Sequence, residues 1–560
     1  MYKGYGNNLY ALSSRAIKTA KRRVLFGISV FLVLFFVIII RLVHVMIFSI
    51  NDFNHATEFS GDNTSPVVVA RADILDRNGV IVATSLPTVS AYACPHELID
   101  AKEAAKKLTS VFSEMDLGKL SKKLSLSKKF LWIKRNLSPQ QEQAVLNLGI
   151  PGIHFLRTER RVYPDKNLMA HIVGGTDIDN IGISGIEKIF DGVLRESSSP
   201  VTLSVDTKIQ YAVRDELQKG LEEFRAIGGA AIVLEITTGE IIAMVSLPDF
   251  DPNKNADPNA MERFNLVTSS AIEPGSSAKI LNTAFALESR KITPFTKFDA
   301  TKPLKLGKFI VHDFRGRCMF LTVEEILKYS SNIGSAKIAT ELGPVAQRKF
   351  LKHIGLLDTV SCELPEVQHP IYPKKWSDIS AATISYGHGI AISPLHLITI
   401  FSSIVNDGIV HTPTLVKRDL PIPGRRVISS TTSKQMRALM RLNVTEGTNK
   451  FADVPGYCVG GKSGTAEKQK RGRYLKDANY TGFYGAFPMT APRYAVYVVL
   501  NEPKTTPKTH GYRTAGWNAA PLAANIIGRI GPMLGVTTTN TNEPNWHYVL
   551  EQATKTREHS

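Results

Sequence analysis

A serine hydroxyl placed three residues ahead of a lysine amine becomes a nucleophile beside a base when one helix carries both. Glu273-Pro274-Gly275-Ser276-Ser277-Ala278-Lys279 offers that arrangement: a Pro-Gly breaker, then Ser-x-x-Lys. If a helix begins at Ser276, residues three apart share a face and Lys279 reaches Ser276. A hydroxyl attacks a carbonyl only when something takes its proton. An amine buried near a helix N-terminus gives up its charge readily, through desolvation and the positive end of the helix dipole. Ser276 then reads as the nucleophile of an acyl transfer and Lys279 as its general base.

Such a pair is common by chance. Ser125-x-x-Lys128 is a second match, but it lies in a Lys-rich stretch without a breaker and reads as a solvated face. Two later fragments single out the first pair. Ser330-Ser331-Asn332 follows an apolar helical run (Val323, Ile326, Leu327), and Lys462-Ser463-Gly464-Thr465 follows Gly460-Gly461 on a predicted strand. Taken singly, the former is a helix-end cap and the latter a strand-end turn. Taken in order, each has a task. Ser330 relays a proton to a leaving amine, Asn332 bonds a substrate amide, and Lys462 meets a carboxylate. Ser463, Gly464 and Thr465 line the substrate, with Gly464 small enough for it to lie against the strand edge. Backbone N–H groups of Ser276 and Thr465 make a donor pair for an oxyanion.

These fragments must be held by folded domains, and 560 residues exceed one hydrophobic core. With 43% hydrophobic and 21% charged residues the chain reads as globular. Its net charge of +18 includes a cluster (Lys3, Arg15, Lys18, Lys21, Arg22, Arg23) ahead of an apolar run from Val24 to Ile40 that resumes from Leu42 to Ile50 after Arg41. A bilayer core of about 30 Å needs about 20 helical residues. Residues 24–50 therefore read as an uncleaved transmembrane anchor, with 1–23 as a cytoplasmic tail and the remainder outside. The other positive charges are dispersed, which suits an anionic polymer and excludes the dense stripe of a nucleic-acid binder. Cys94, Cys318, Cys362 and Cys458 stand far apart, without metal-ligand spacing, and read as buried free thiols; no metal or cofactor is expected.

Residues 51–66 are polar and linker-like. Val67–Ala70 and Val80–Ala83 flank Asp76-Arg77-Asn78-Gly79 as a predicted hairpin in which Asn-Gly supplies positive φ. Helical spacing runs from Ala101 to Leu126, and Ser138-Pro139 opens another helix. This α+β region, 51–200, ends near Ser197-Ser198-Ser199-Pro200. A helix follows from Thr207 to Phe224, then a predicted strand, turn and strand (Ala230–Ile236, Thr237–Glu240, Ile241–Val245). Cys458–Thr465, Thr481–Phe487 and Tyr494–Leu500 read as three more strands. Strands from both ends of 201–535 must then meet in one sheet, with the intervening helices packed on it. The tail, 536–560, reads as polar and loose.

The motifs Ser276-x-x-Lys279, Ser330-x-Asn332 and Lys462-Ser463-Gly464 resemble those of the class B penicillin-binding proteins. The resemblance extends over nearly the whole chain. Arg71-Ala72-Asp73-Ile74-Leu75-Asp76-Arg77-Asn78-Gly79 is similar to the pedestal motif, with Ala72 where Gly is usual. Arg161-Val162-Tyr163-Pro164 through Gly182-Ile183-Ser184-Gly185-Ile186-Glu187, and Ser385-Tyr386-Gly387-His388-Gly389-Ile390 with Ser393-Pro394-Leu395, resemble further family stretches; Ala278 stands where a bulkier residue is common. The chain most resembles division-type (FtsI-like) members. That resemblance implies a serine transpeptidase domain of the penicillin-binding and β-lactamase-like fold, with a central antiparallel sheet and a helical subdomain, behind an α+β pedestal (dimerisation-type) domain. It also implies acylation of Ser276 by the D-Ala-D-Ala end of a peptidoglycan stem peptide, transfer to a neighbouring amine, carboxypeptidase side activity, and β-lactams as inhibitors. The stretch between anchor and catalytic half is too short for a glycosyltransferase, so the family implies a membrane glycan polymerase (FtsW-like) among divisome partners at the inner membrane. An elongation-type transpeptidase and a catalytically silent divisome scaffold are the alternatives. A β-lactamase would need neither anchor nor pedestal, and residues 1–23 are too few for the signalling domain of a penicillin receptor.

Overall fold

A β-hairpin and a three-stranded meander, separated by more than 200 residues of mostly helical chain, close into one sheet, and this determines how the rest is arranged. In the computed structural model, residues 22–23, 25–26, 28–40, 70–126, 129–254, 260–314, 318–420, 422–470, 473–538 and 543–558 are described. The chain divides into a first unit, Met1–Val68, and a second, Val69–Ser560. In the first, residues 28–40 are helical with exposed side chains. Much of the expected anchor, including all of 41–50, lies outside the described residues. Among the described residues no helix is long and apolar enough to cross a membrane.

The second unit begins with a five-stranded sheet. Strands β1 (Ile74–Leu75), β2 (Ile81–Ala93), β3 (Leu131–Leu137), β4 (Ile153–Val162) and β5 (Val201–Thr202) are arranged so that β2 pairs with β1, β3 and β4, while β5 lies parallel to β1. The hairpin at Asp76–Gly79 forms, but its first strand is β1 rather than Val67–Ala70; 67–69 lie outside the described residues. The turn also works differently from the expectation. The Asp76 carboxylate accepts from the N–H groups of Asn78 (2.7 Å) and Val80 (2.9 Å), and of the Asn-Gly pair only Gly79 has positive φ. The helical stretch after Ala101 is two helices, α1 (Ala101–Val111) and α2 (Leu117–Leu124), because the Asp116 side chain caps a fresh start on the Lys119 N–H. Helix α3 (Pro139–Asn147) opens on a full capping box from Ser138 and Gln141. Through β5 this sheet continues past Pro200 to Thr202.

Three of the pedestal motifs meet in its interior. Arg71 and Arg161 both bind the carboxylate of Glu187, Nε to Oε2 at 2.8 Å and Nε to Oε1 at 2.6 Å, and Asp191 takes a further Arg71 N–H at 2.7 Å. All three residues of the core triad are buried. Ala72 fits there without strain, donating its N–H to the Leu194 carbonyl at 2.7 Å.

Helix α4 (Thr207–Phe224), capped by Asp206, leads into the central sheet: β6 (Gly228–Glu235), β7 (Ile241–Leu247), β8 (Gly460–Lys470), β9 (Arg473–Phe487) and β10 (Tyr494–Asn501), in the order β8-β9-β10-β6-β7 and antiparallel throughout. Both faces are covered over β6, β7 and β10, which is why those three strands read as mostly apolar runs. Ala231, Val233, Val496 and Val498 pack in one core with α4 and α5 (Ala519–Met533). Their neighbours Ala230, Ile232, Ala495 and Tyr497 face the other core, with helix Pro394–Val405. Alternation along each strand thus divides it between two hydrophobic layers. The expected loose tail is a correction: 539–542 lie outside the described residues, but Trp546–Glu558 is helical, with Trp546, Leu550 and Ala553 buried. Its few apolar residues at i, i+4 and i+7 form one helix face, which the polar composition had masked. The cysteines are free, but only Cys458 is buried and Cys318 is exposed.

Candidate active site

The Pro-Gly breaker ends one chain direction and a 3-10 turn, Gly275–Ala278, runs directly into helix Lys279–Glu288. Ser276 is therefore in the turn and Lys279 is the first residue of the helix. Lys279 is 1% exposed, and its Nζ lies 2.8 Å from Ser276 Oγ, 2.7 Å from Asn332 Oδ1 and 3.3 Å from Ser330 Oγ. Burial, reinforced by the positive charge of Lys462, holds the Lys279 amine well below its ordinary pKa, while Asp313 pulls the other way. Ser276 itself is half-buried, so a ligand can reach it.

Ser330 and Asn332 flank the junction of helices Val323–Lys328 and Asn332–Leu342. Both uses of the triplet occur together: Ser331 caps the second helix through the Gly334 N–H (3.0 Å), and its neighbours face Lys279. Ser330 makes the corner with φ +61°, a left-handed conformation that costs a non-glycine residue roughly 1 kcal/mol or more. Asp313, which sequence reasoning did not single out, holds this corner. Its carboxylate accepts from Ser331 Oγ (2.8 Å), the Ile333 N–H (2.9 Å) and the Asn332 N–H, and the adjacent His312 carbonyl accepts from Asn332 Nδ2 at 3.1 Å.

Lys462, Ser463, Gly464 and Thr465 lie on β8, the edge strand of the sheet, alongside the Gly275–Ala278 turn. Lys462 is also 1% exposed, with its amine 3.3 Å from the Ser463 carbonyl, and burial lowers its pKa to about 7. Asn449, fully buried, accepts the Ser463 N–H at 3.1 Å, and Thr465 Oγ1 accepts the Ala515 N–H at 3.0 Å. Gly464 has a task besides the one expected of it. A Cβ there would stand 2.1 Å from the Pro274 carbonyl oxygen, so its smallness admits the Gly275–Ala278 turn. Gly275 answers from the opposite side: its φ is +53° and a Cβ would meet the Thr465 carbonyl at 2.4 Å. Two glycines thus let the Ser276 turn and β8 touch backbone to backbone.

Glu273 is a further residue that spacing could not reveal. Its carboxylate joins His388 Nδ1 (3.0 Å), the Gly389 N–H (2.8 Å), Gln469 Nε2 (2.9 Å) and Tyr474 OH (3.1 Å). It ties the approach to Ser276 to the Ser385–Ile390 segment and to the tip of the β8–β9 hairpin. Beside it opens a cleft of about 740 Å³, lined by Ile272, Tyr372, Gly389, Ala466, Lys468 and Tyr480 among others. This arrangement can take a proton from a hydroxyl, pass it to an amine and seat an acyl chain along a strand edge. Ser125, the decoy, is exposed at the end of α2, and Lys128 lies outside the described residues.

The family model described as penicillin binding protein transpeptidase domain matches residues 229–528, and that described as penicillin-binding protein dimerisation domain matches 66–223. The chain is 36% identical over 482 residues to the probable peptidoglycan D,D-transpeptidase FtsI of Caulobacter vibrioides, covering 83% of this chain and 82% of that one. It is 30% identical over 515 residues to the peptidoglycan D,D-transpeptidase FtsI of Escherichia coli K12, covering 85% of each. Among solved structures, penicillin-binding protein 3 of Mycobacterium tuberculosis complexed with ampicillin superposes with a TM-score of 0.68 at 24% identity, over 85% of this chain and 98% of that one, a likeness of fold.

Proposed function

The chain belongs to the penicillin-binding proteins that carry a transpeptidase domain behind a dimerisation domain, and from this membership we propose that it is a division-type peptidoglycan D,D-transpeptidase and a target of β-lactams. The observation that carries the reading is the buried Lys279 amine, within hydrogen-bond reach of Ser276, Ser330 and Asn332 at once. In the proposed cycle Ser276 Oγ attacks the carbonyl of the penultimate D-Ala while neutral Lys279 takes its proton. The oxyanion faces the backbone N–H groups of Ser276 and Thr465, whose chains adjoin. The C–N bond breaks, and the terminal D-Ala leaves as an amine, protonated from Lys279 by way of Ser330. An amine of a second stem peptide then attacks the ester and frees Ser276. Water in its place gives carboxypeptidase activity.

Lys462, charged in the bound state, faces the terminal carboxylate; Asn332 both orients Lys279 and bonds the substrate amide; and the peptide lies along Ser463, Gly464 and Thr465. The basic cluster before Val24 and the apolar run behind it support a single-pass anchor in the inner membrane, with the N-terminus cytoplasmic and the catalytic domain periplasmic. Glycan strands would come from a membrane polymerase (FtsW-like) among divisome partners, since neither matched domain is a glycosyltransferase. Division rather than elongation is supported by the two FtsI relatives.

The test is acylation of the full-length chain in detergent by a fluorescent penicillin, with the adduct mapped by mass spectrometry. A stable ester on Ser276, absent from Ser276→Ala, is expected. Folded protein that takes up no label would leave a silent scaffold as the better reading.

A further inference from the structure

Outside the active site, three metal-binding side chains of different chemical type converge in the pedestal. Strand β2 ends at Ala93, and one 3-10 turn, Pro95–Glu97, follows with Cys94 at its N-cap. The Glu97 N–H donates to the Cys94 carbonyl at 2.9 Å, so the turn folds Glu97 back toward Cys94. Strand register supplies the third group. Tyr92 pairs with His154 of β4, and since Tyr92 and Cys94 are two apart, all three side chains share one face of the sheet.

The imidazole is held in place. His154 stacks on Tyr92, centroids 5.4 Å apart and planes 28° from parallel, and Tyr92 stacks on Phe130 at 4.8 Å. The backbone closes around the group: the Cys94 N–H donates to the Gly152 carbonyl at 2.8 Å. Donor atoms of Cys94, Glu97 and His154 all lie within 4.8 Å of one another; His154 Nε2 is 2.6 Å from Glu97 Oε2, and His96 Nε2 is 3.5 Å from Glu97 Oε1.

We propose that Cys94, Glu97 and His154 form a zinc site that fastens the end of β2 to β4, with His96 or water as fourth ligand. Thiolate, imidazole and carboxylate together suit Zn²⁺, which takes four such donors at about 2.0–2.3 Å in a tetrahedron. Cys94 has no disulfide partner that would withhold its sulfur. Seating the ion separates Glu97 from His154 by about an ångström, which the exposed, flexible Glu97 side chain allows, and displaces the thiol proton to solvent. Sequence spacing gave no sign of the site because His154 comes from a distant strand.

The experiment uses the full, untagged chain in detergent, stripped with chelator, dialysed against Zn²⁺ and analysed for metal. One equivalent is expected, lost in Cys94→Ser, His154→Ala and the conservative Glu97→Gln, and kept in Cys318→Ser. Co²⁺ in place of Zn²⁺ should show a thiolate charge-transfer absorption that Cys94→Ser removes, and Zn²⁺ should raise the melting temperature of the parent but not of Glu97→Gln. Retention of the same metal by all three ligand variants, or none by the folded parent, overturns the proposal. Circular dichroism reports folding in each case, so the result stands whether or not Ser276 is acylated by penicillin.

Discussion

Lys279 and Lys462 are both buried amines, but the proposed cycle needs them in opposite charge states, and pH separates them. A base must be neutral, so acylation should fall as acid protonates Lys279; because burial lowers its pKa, activity persists at neutral pH instead of requiring strong alkali. Lys279→Ala should lower the acylation rate constant by about 10²–10⁴-fold, read by stopped-flow with a chromogenic β-lactam. Lys462, at about 7 when unliganded, must be a cation to hold a carboxylate. Binding should therefore take up protons above pH 7, seen by calorimetry in buffers of differing ionisation enthalpy and absent from Lys462→Met. The stability linkage has the same origin. From about 7 up to the ordinary lysine pKa the unfolded chain binds the extra proton, so burial of Lys462 costs most below about 7 and stability rises with pH across that window. Lys462→Met should melt no lower than the parent at neutral pH while losing substrate affinity.

At the scale of elements, the corner between helices Val323–Lys328 and Asn332–Leu342 positions two of the expected site residues, and Asp313 holds that corner. Asp313→Ala leaves two helix N–H groups and a serine hydroxyl without their acceptor, a loss of about 1–3 kcal/mol in a denaturant melt. Asp313→Asn keeps the shape but removes a charge that raises the Lys279 pKa, so the acid limb of the acylation profile should move to lower pH. That Ser276, Lys279, Ser330, Asn332 and Lys462 come together was legible because acyl transfer calls for those residue types in that order, the first pair three residues apart. Asp313, Glu273 and Asn449 were not: each is a lone polar residue whose partner is chosen by the fold. Helix α4 was legible to its ends because Asp206 caps it and its apolar face is continuous. Trp546–Glu558 was missed because its buried face, Trp546, Leu550 and Ala553, is short and set among polar residues, and signals a helix only once a neighbour covers it.

Across the whole molecule, the pedestal triad of Arg71, Arg161 and Glu187 is a buried charge network drawn from three distant segments. Glu187→Gln leaves Arg161 buried without its counter-charge and Arg71 with Asp191 alone, so a loss of about 3–5 kcal/mol is expected in thermal or denaturant unfolding, with Ser276 chemistry intact in whatever remains folded. The central sheet carries a different consequence, for the order of biosynthesis. Its β6–β7 half is made early, but β8, β9 and β10 are made last, and β10 pairs directly with β6. Lys462 is therefore unavailable to Ser276 until the closing strands have emerged and zipped onto strands made more than 200 residues before. A chain cut short before β10 lacks the strand that joins β8 and β9 to β6, and with it the sheet that brings Lys462 to Ser276.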